Sequence, residues 1–261
     1  MKQRIITAIL ALIVFLPIII IGNWPFTLFV YLIATIGIYE LIRMRGIQNY
    51  IIPLVIAFLM LWLILFQETW VFSLNYSKFE LLTFFILLLL AYTVLVKNKY
   101  TFDHAGFTLL ATFYLGIGFY YLIEIRDGES GLKNIFFAFL IIWSTDTGAY
   151  FVGRKFGKRK LWPEISPNKT IEGAIGGILL ACIVATVFHL TNPFPKSLVV
   201  VIIVTILASI FGQIGDLVES ALKRNYGVKD SGNILPGHGG ILDRFDSLLF
   251  VLPLLHIILF F

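Results

Sequence analysis

The sequence is poor in the residues that build a soluble domain or a cysteine-based site. Charged residues make up 13% of its 261 positions, whereas a soluble domain carries about 25%. The single cysteine, Cys182, excludes a disulfide within the chain and a structural zinc site built on cysteines. Cys182 stands in an apolar run, which favours a small buried residue over a reactive one. The sequence also has no obvious internal repeat and no low-complexity tract.

Apolar residues are abundant instead, at 59% of the chain with a mean hydropathy of +0.93. A helix crosses the hydrocarbon core of a membrane with about 20 apolar residues. Nine segments qualify, and the third is the shortest: 5–22, 25–42, 51–66, 79–96, 105–123, 133–152, 171–190, 197–217 and 241–261. The alternating pattern of a membrane barrel is missing. The sequence therefore predicts an all-α integral membrane protein with about nine transmembrane helices.

The basic residues predict the orientation of these helices. The first apolar run follows Lys2 and Arg4 without a small-residue cleavage site, so we expect an uncleaved helix rather than a signal peptide. All but four of the 20 Lys and Arg residues fall on one side of a nine-helix arrangement; the exceptions are Lys78, Arg126, Lys133 and Lys196. Cytoplasmic loops are rich in Lys and Arg. We therefore expect a cytoplasmic N-terminus and an outer C-terminus in a bacterial cell membrane.

The same bias explains the net charge of +5 without nucleic-acid binding, so we expect no nucleic-acid partner. We expect an N-terminal group of about five helices over residues 1–130 and a catalytic region of about four over 131–261. The longest hydrophilic stretches, roughly 153–170 and 218–240, both fall on the predicted cytoplasmic side. The active site is therefore predicted at that face.

Residues 216–246 form the densest polar stretch of the chain, between two membrane-length apolar runs. Polar groups are costly near lipid, so their presence there indicates function. Asp216, Glu219, Ser220 and Lys223 have the spacing of one helix face. A helix end emerging into water would explain the basic residues at 223 and 224. It explains Asp216 poorly, because that residue follows an apolar segment directly.

Two further acids, Asp243 and Asp246, stand three residues apart at the start of the ninth segment. Capping of the helix N-terminus is one explanation for them. Two acids beside Arg244, together with Asp216, suit a hard divalent cation better. Mg²⁺ takes one or two carboxylates and keeps positions for water and phosphates. We predict a site for Mg²⁺, or Mn²⁺, with Asp216 and Asp243 as first ligands and three further candidates: Glu219, Asp146 and Asp246.

A glycine-rich loop (residues 229–240) connects these two groups of acids. Glycines let backbone N–H groups approach phosphate oxygens, and a helix N-terminus binds anions. We therefore predict phosphate-group contacts from Ser220, Gly237, Gly239 and Gly240. His238 could donate to a phosphate or only brace the loop. The predicted catalytic and phosphate-binding residues are Lys169, Lys223, Arg224, Lys229, Asp230, His238 and Arg244.

An earlier polar island runs from Ser144 in the sixth segment to Gly173, and Asp146 and Lys169 are its candidate functional residues. Its basic residues fit contact with anionic lipid as well as catalysis. Ser166 and Thr170 could serve as caps of the seventh helix. Three glycines of that helix, Gly173, Gly176 and Gly177, favour close helix packing over ligand contact. Glu40 and Glu124 stand at helix ends, where we expect them to be solvated.

These motifs resemble the phosphatidate cytidylyltransferases, also called CDP-diacylglycerol synthases. The resemblance covers about residues 140–253 and rests on five stretches: Ser220-Ala-Leu-Lys-Arg224, Lys229-Asp-Ser-Gly232, Leu235-Pro-Gly-His-Gly-Gly-Ile-Leu-Asp-Arg-Phe-Asp246, Asp146-Thr-Gly-Ala-Tyr-Phe-Val-Gly-Arg154 and Ile165-Ser-Pro-Asn-Lys-Thr-Ile-Glu-Gly173. The family often has lysine at Asn168, a departure that leaves Lys169 in place. The first five segments match only in hydropathy.

The resemblance implies a homodimeric membrane enzyme that joins CTP to phosphatidic acid, releasing CDP-diacylglycerol and pyrophosphate. It also implies Mg²⁺ and a second cation such as K⁺. Three alternatives stay open: a CTP-dependent enzyme acting on another lipid phosphate, a polyprenol kinase that uses CTP as phosphate donor, and an ion-coupled transporter. Transporters often carry paired broken helices in two related halves, whereas this sequence has one polar half.

Overall fold

The computed structural model describes residues 2–66, 76–237, 239–258 and 260, with the side chains of 2–6 and 8–11 left out. Within these residues the chain forms nine helices and one two-stranded hairpin. The helices are α1 Lys2–Ile21, α2 Asn23–Arg45, α3 Ile51–Leu65, α4 Lys78–Leu95, α5 Phe102–Asp127, α6 Gly131–Phe156, α7 Ile171–Thr191, α8 Leu198–Asn225 and α9 Leu242–Ile257. The strands are β1 Lys160–Trp162 and β2 Ser166–Thr170.

Each apolar segment of the sequence overlaps one helix, in the predicted order. Among the described residues, six helices are long and apolar enough to cross a membrane: α2, α4, α5, α6, α7 and α8. The helices α3 and α9, with 15 and 16 residues, are shorter. The all-helical membrane class is therefore confirmed, and the count of nine spans stays a prediction. The largest shift of a helix end concerns α8, which continues to Asn225 instead of ending at 217.

The chain divides into two compact units. Unit one contains the residues up to Glu124 together with Asp230–Asp243, and unit two contains Ile125–Lys229 together with the chain from Arg244 onward. In unit one, α2 packs on α1 and α3, and α3 packs on α4. Gly116 of α5 lies directly against Ile64 of α3, where an added Cβ would approach the isoleucine to 2.9 Å.

Unit two is organised by a close crossing of α6 and α7. A Cβ added to Gly148 would lie 2.7 Å from the Gly176 carbonyl oxygen, and one added to Gly177 would lie 2.6 Å from the Thr145 carbonyl oxygen. A Cβ added to Gly173 would lie 2.8 Å from the Ala149 carbonyl oxygen. The predicted packing role of the α7 glycines is therefore confirmed.

Polar contacts attach α8 to this pair of helices. Thr145 and Ser209 share a buried hydrogen bond of 2.8 Å between α6 and α8. Gln213 Nε2 donates to the Ala174 carbonyl oxygen of α7 at 3.4 Å. In apolar surroundings such groups need partners inside the protein. These bonds hold the polar end of α8 in register with α6 and α7.

The sequence did not predict the hairpin between α6 and α7. Strands β1 and β2 pair antiparallel, with Lys160 opposite Thr170 and Trp162 opposite Ser166. Thr170 then caps α7, because its Oγ1 accepts from the Gly173 N–H at 3.1 Å. Of the two candidate caps, Thr170 is confirmed, whereas Ser166 pairs within the hairpin. The hairpin also places Lys169, the residue just before the cap, at the N-terminus of α7.

Candidate active site

Unit two presents an ordered row of charged groups along α8. Lys169 Nζ, from β2, lies 2.6 Å from Asp216 Oδ2. One turn further, Ser220 Oγ donates to Asp216 Oδ1 at 3.4 Å. Lys223 Nζ lies 2.6 Å from Glu219 Oε2. Because α8 continues past the predicted end, these residues share one helix face, as their spacing predicted.

The two ion pairs differ in burial. The side chains of Lys169 and Asp216 are 27% and 33% exposed, so both can reach a ligand. Glu219 is 1% exposed and Lys223 14%. Burial of a carboxylate is costly unless it is paired or hydrogen-bonded, and Lys223 supplies a counter-charge to Glu219. The contact thus fixes Lys223 on the α8 face, and the role of Glu219 as a metal ligand stays a prediction.

Two more aspartates of unit two lie near Asp216. The Asp146 carboxylate, from α6, interacts electrostatically with Asp216, Lys169 and Arg244. The Asp246 carboxylate, from α9, interacts with Asp216, Asp146 and Lys223. Its Oδ1 also accepts the Ser247 N–H at 2.7 Å. Three helices therefore direct one acid each toward a common region, where lysine and arginine offset part of their repulsion.

The metal site stays a prediction. Among the residues that the structure describes, no group of three or more His, Cys, Asp or Glu is arranged to hold a metal ion. Oxygen donors from Asp146, Asp216 and Asp246 nevertheless match the preference of Mg²⁺, which needs only one or two carboxylates beside water and phosphates. The donor chemistry fits a divalent cation, and the ligand set stays a prediction.

In unit one, Asp243 organises the glycine-rich loop. Its Oδ2 accepts three hydrogen bonds: from the Ser231 N–H at 2.9 Å, the Ser231 Oγ at 2.9 Å and the Gly240 N–H at 2.8 Å. Asp216 belongs to the other unit. Their joint binding of one ion therefore stays a prediction.

Glu40 of α2 holds the same loop, and the expectation that it is solvated was wrong. Its side chain is 4% exposed. Oε1 accepts from the Ile241 N–H at 2.9 Å, and Oε2 accepts from the Leu242 N–H at 3.0 Å and from Ser231 Oγ at 3.0 Å. The one signal in the sequence was an acid flanked by apolar residues of α2. Its partners stand about 200 positions away, beyond any local pattern.

The glycines of the loop have two roles in the structure. Gly237 and Gly239 adopt left-handed φ values of +75° and +84°, which favour glycine. The Leu235 N–H donates to the Gly239 carbonyl oxygen at 3.0 Å and closes the turn. The Gly240 N–H donates a hydrogen bond to the Asp243 carboxylate. Phosphate contacts of these glycines stay predictions, and His238 lies outside the described residues.

The remaining predicted basic residues lie at the surface of the chain. Arg224, Lys229 and Arg244 are exposed, as is Asp230. Arg224 Nε also donates to the Ile165 carbonyl oxygen at 3.3 Å, which links the end of α8 to the hairpin region. The three basic side chains, Arg224, Lys229 and Arg244, can therefore contact an anion from solvent.

The sequence matches the model of the cytidylyltransferase family over residues 2–261. The chain belongs to this family. It is 54% identical to the phosphatidate cytidylyltransferase of Bacillus subtilis (strain 168), over 99% of the chain and 97% of that protein. It is 51% identical to the phosphatidate cytidylyltransferase of Staphylococcus saprophyticus and 48% identical to that of Staphylococcus aureus (strain COL), each over 99% of both chains.

Both units lie inside the region matched to the cytidylyltransferase family. The charged face of α8 and the glycine-rich loop therefore belong to the part of the chain shared with these relatives. The likeness also extends through α1 to α5, where the sequence motifs had offered only hydropathy.

Proposed function

We propose that this chain is a phosphatidate cytidylyltransferase, which joins CTP to phosphatidic acid and releases CDP-diacylglycerol and pyrophosphate. The observation that carries the proposal is near-full-length identity of 48–54% to proteins of that name. The charged row on α8, within a protein of apolar helices, supports it independently. Such groups suit a reaction between a lipid and a water-soluble nucleotide.

The reaction is an in-line displacement at the α-phosphorus of CTP. A phosphate oxygen of phosphatidic acid attacks this phosphorus, a new P–O bond forms, and the bond to the leaving pyrophosphate breaks. The second pKa of a phosphate monoester is about 6, so the nucleophile is mostly ionised at pH 7. The reaction therefore needs no strong general base. Positioning and charge neutralisation supply the rate.

The basic residues of unit two are the proposed phosphate ligands. Lys223, held by Glu219, and the exposed Arg224 and Lys229 would bind the triphosphate. Lys169 and Arg244 would hold the phosphatidate headgroup or the leaving pyrophosphate. Lys169 is already beside Asp216, so phosphate binding and carboxylate pairing compete for one ammonium group.

The proposal includes Mg²⁺ with carboxylates from Asp146, Asp216, Asp246 and Asp243. When bound, this ion would neutralise phosphate charge and orient the reacting oxygens. Asp230 would orient Lys229 or bind a second cation such as K⁺. The convergence of three aspartates near three basic residues, Lys169, Lys223 and Arg244, supports this assignment.

The proposal also extends to topology. Nine helices would cross or enter the cell membrane, with the N-terminus and the active site at the cytoplasmic face, where CTP is available. The basic residues support it, because nine alternating spans would put only four of them on the outer side, each at or near a connection there: Lys78, Arg126, Lys133 and Lys196. A homodimer embedded in membrane lipids completes the proposal, as the family resemblance implies.

A labelled-nucleotide assay tests the reaction. Purified protein in detergent receives phosphatidic acid, Mg²⁺ and CTP labelled at either the α- or the γ-phosphate. The expected result is lipid labelled from the α position only, with one pyrophosphate per lipid product. Lipid labelled from the γ position would indicate a CTP-dependent kinase, and an absence of CTP consumption would favour a transporter.

The variant Asp243→Asn tests the acidic part of the site in the same assay. The amide keeps the shape but offers one acceptor oxygen, and we expect turnover to fall by about 10²-fold or more while the protein still inserts and purifies. Asp103→Asn, at an exposed acid in the first turn of α5, is the matched control with unchanged turnover. Wild-type turnover by Asp243→Asn would refute the assignment.

A further inference from the structure

The Glu40 carboxylate accepts hydrogen bonds from backbone N–H groups at the start of α9. The Ile241 and Leu242 N–H groups both point at it, and Leu242 is the first residue of that helix. The first N–H groups of a helix lack partners within the helix and favour negative charge. A carboxylate from α2 therefore occupies an anion position that the sequence had suggested for substrate phosphate.

The loop is also shaped around this carboxylate. A Cβ added to Gly232 would collide with the Glu40 side chain, whose atoms are its three nearest neighbours. A Cβ added to Gly240 would collide with Glu40 and with Ser231 Oγ. Two glycines of the loop thus leave room for a glutamate of the same chain. Their small size has an explanation that does not involve a ligand.

Ser231 connects Glu40 to Asp243. Its hydroxyl lies 3.0 Å from Glu40 Oε2 and 2.9 Å from Asp243 Oδ2, and its side chain is buried. Since a hydroxyl has only one proton, the two acids share a single donor. The Ser231 hydroxyl is therefore the direct link between the two carboxylates.

We infer that Glu40 is a positioning residue, which sets the conformation of the glycine-rich loop and, through Ser231, the orientation of Asp243. The inference rests on the proposed function, since that function gives Asp243 its role in the site. Glu40 acts through the loop and need not touch a substrate. Burial of a carboxylate is costly unless it is fully hydrogen-bonded, so its three donors and two glycines indicate a specific fit.

The variant Glu40→Gln tests this role with little change in volume. In the variant, an amide NH₂ group replaces one carboxylate oxygen. One backbone N–H then faces a donor instead of an acceptor. We expect kcat to fall by about 10²-fold, the scale of a small misplacement in an active site, and the Mg²⁺ concentration for half-maximal rate to rise. Rates are measured well below the unfolding midpoint and per folded molecule. Glu124→Gln, the same change in the same unit, is the control with wild-type values.

A purely structural glutamate would lower the unfolding midpoint and leave kcat and the Mg²⁺ requirement unchanged. That result for Glu40→Gln would overturn the inference. Wild-type values in every measurement would overturn it as well.

A double-mutant cycle tests the fit itself. Gly232→Ala should lower the unfolding midpoint and the activity in the wild-type background, because its methyl group meets Glu40. In the Glu40→Ala background the same change should cost much less, because the obstructing side chain is gone. Equal costs in the two backgrounds would refute the contact.

The cycle can be measured by the unfolding midpoint even if the Glu40→Ala variant has no activity. It also separates the two proposals. Failure of the labelled-nucleotide assay with the wild-type protein would reject the proposed function, while the cycle would still report whether Glu40 shapes the loop.

Discussion

At the scale of single residues, the ion pair between Lys169 and Asp216 connects the hairpin to α8. Both side chains are about a quarter to a third exposed, so solvent screens their attraction and its effect on stability is small. The significance of the pair lies in placing an ammonium group beside the acidic region. Sequence reasoning selected both residues as functional, and only the fold showed that they contact each other.

Replacing Lys169 by Met should therefore affect catalysis far more than folding. We expect kcat/KM to fall by about 10²- to 10³-fold, the scale seen when one electrostatic group is removed from an active site. The unfolding free energy should change by about 1 kcal/mol or less. Steady-state kinetics and thermal unfolding in the same detergent measure both. The control is Lys196→Met, at an exposed lysine of the same unit. A large loss of stability with normal kinetics would contradict the prediction.

At the scale of elements, the crossing of α6 and α7 decides where Asp146 and Lys169 stand. Asp146 lies on α6 between two residues of the contact, Thr145 and Gly148. Lys169 immediately precedes the Thr170 cap of α7. Because backbone atoms of the two helices nearly touch, a small separation would displace both charged groups. The glycines therefore matter to the site without touching a substrate.

Gly177→Ala should lower the unfolding midpoint, because the new methyl group would approach the Thr145 carbonyl oxygen to 2.6 Å. Overpacking of this kind costs about 1–3 kcal/mol. Gly106→Ala is the matched control, since no heavy atom lies within 4 Å of its added Cβ and alanine favours a helix. Thermal unfolding of the two variants in one detergent makes the comparison. Equal midpoints would mean that the α6–α7 crossing tolerates separation.

At the scale of the whole molecule, the proposed topology rests on the distribution of the basic residues. The hairpin region carries Lys158, Arg159 and Lys160, whereas the connection between α7 and α8 carries only Lys196. The positive-inside bias assigns these two connections to opposite faces of the membrane. The proposed cytoplasmic site depends on that assignment, because CTP reaches only one face.

Cysteine labelling tests this topology, because Cys182 is the single cysteine of the chain. In a Cys182→Ala background, Lys196→Cys should react with a membrane-impermeant maleimide in right-side-out vesicles. Lys158→Cys should react only after the vesicles are opened. Both positions are exposed, so accessibility within the chain does not limit either reaction. The reverse pattern would place the active site on the outer face.

The sequence by itself determined the helical membrane class and the polar motifs of the site. Long apolar runs can satisfy their backbone in lipid only as helices or closed barrels, so local composition was sufficient. The spacing of Asp216, Glu219 and Lys223 likewise placed them on one face of α8. These features depend on neighbours within a few positions.

Only the tertiary structure decided which charge pairs with which, and what the glycines accommodate. The Glu40 carboxylate accepts from the Leu242 N–H, about 200 positions away in the sequence. Lys169 contacts Asp216 from a hairpin that the apolar pattern did not predict. Such contacts depend on packing geometry, which a local period does not contain. The burial of a glutamate among backbone donors follows from the meeting of distant segments, and for that reason it was visible only in the folded chain.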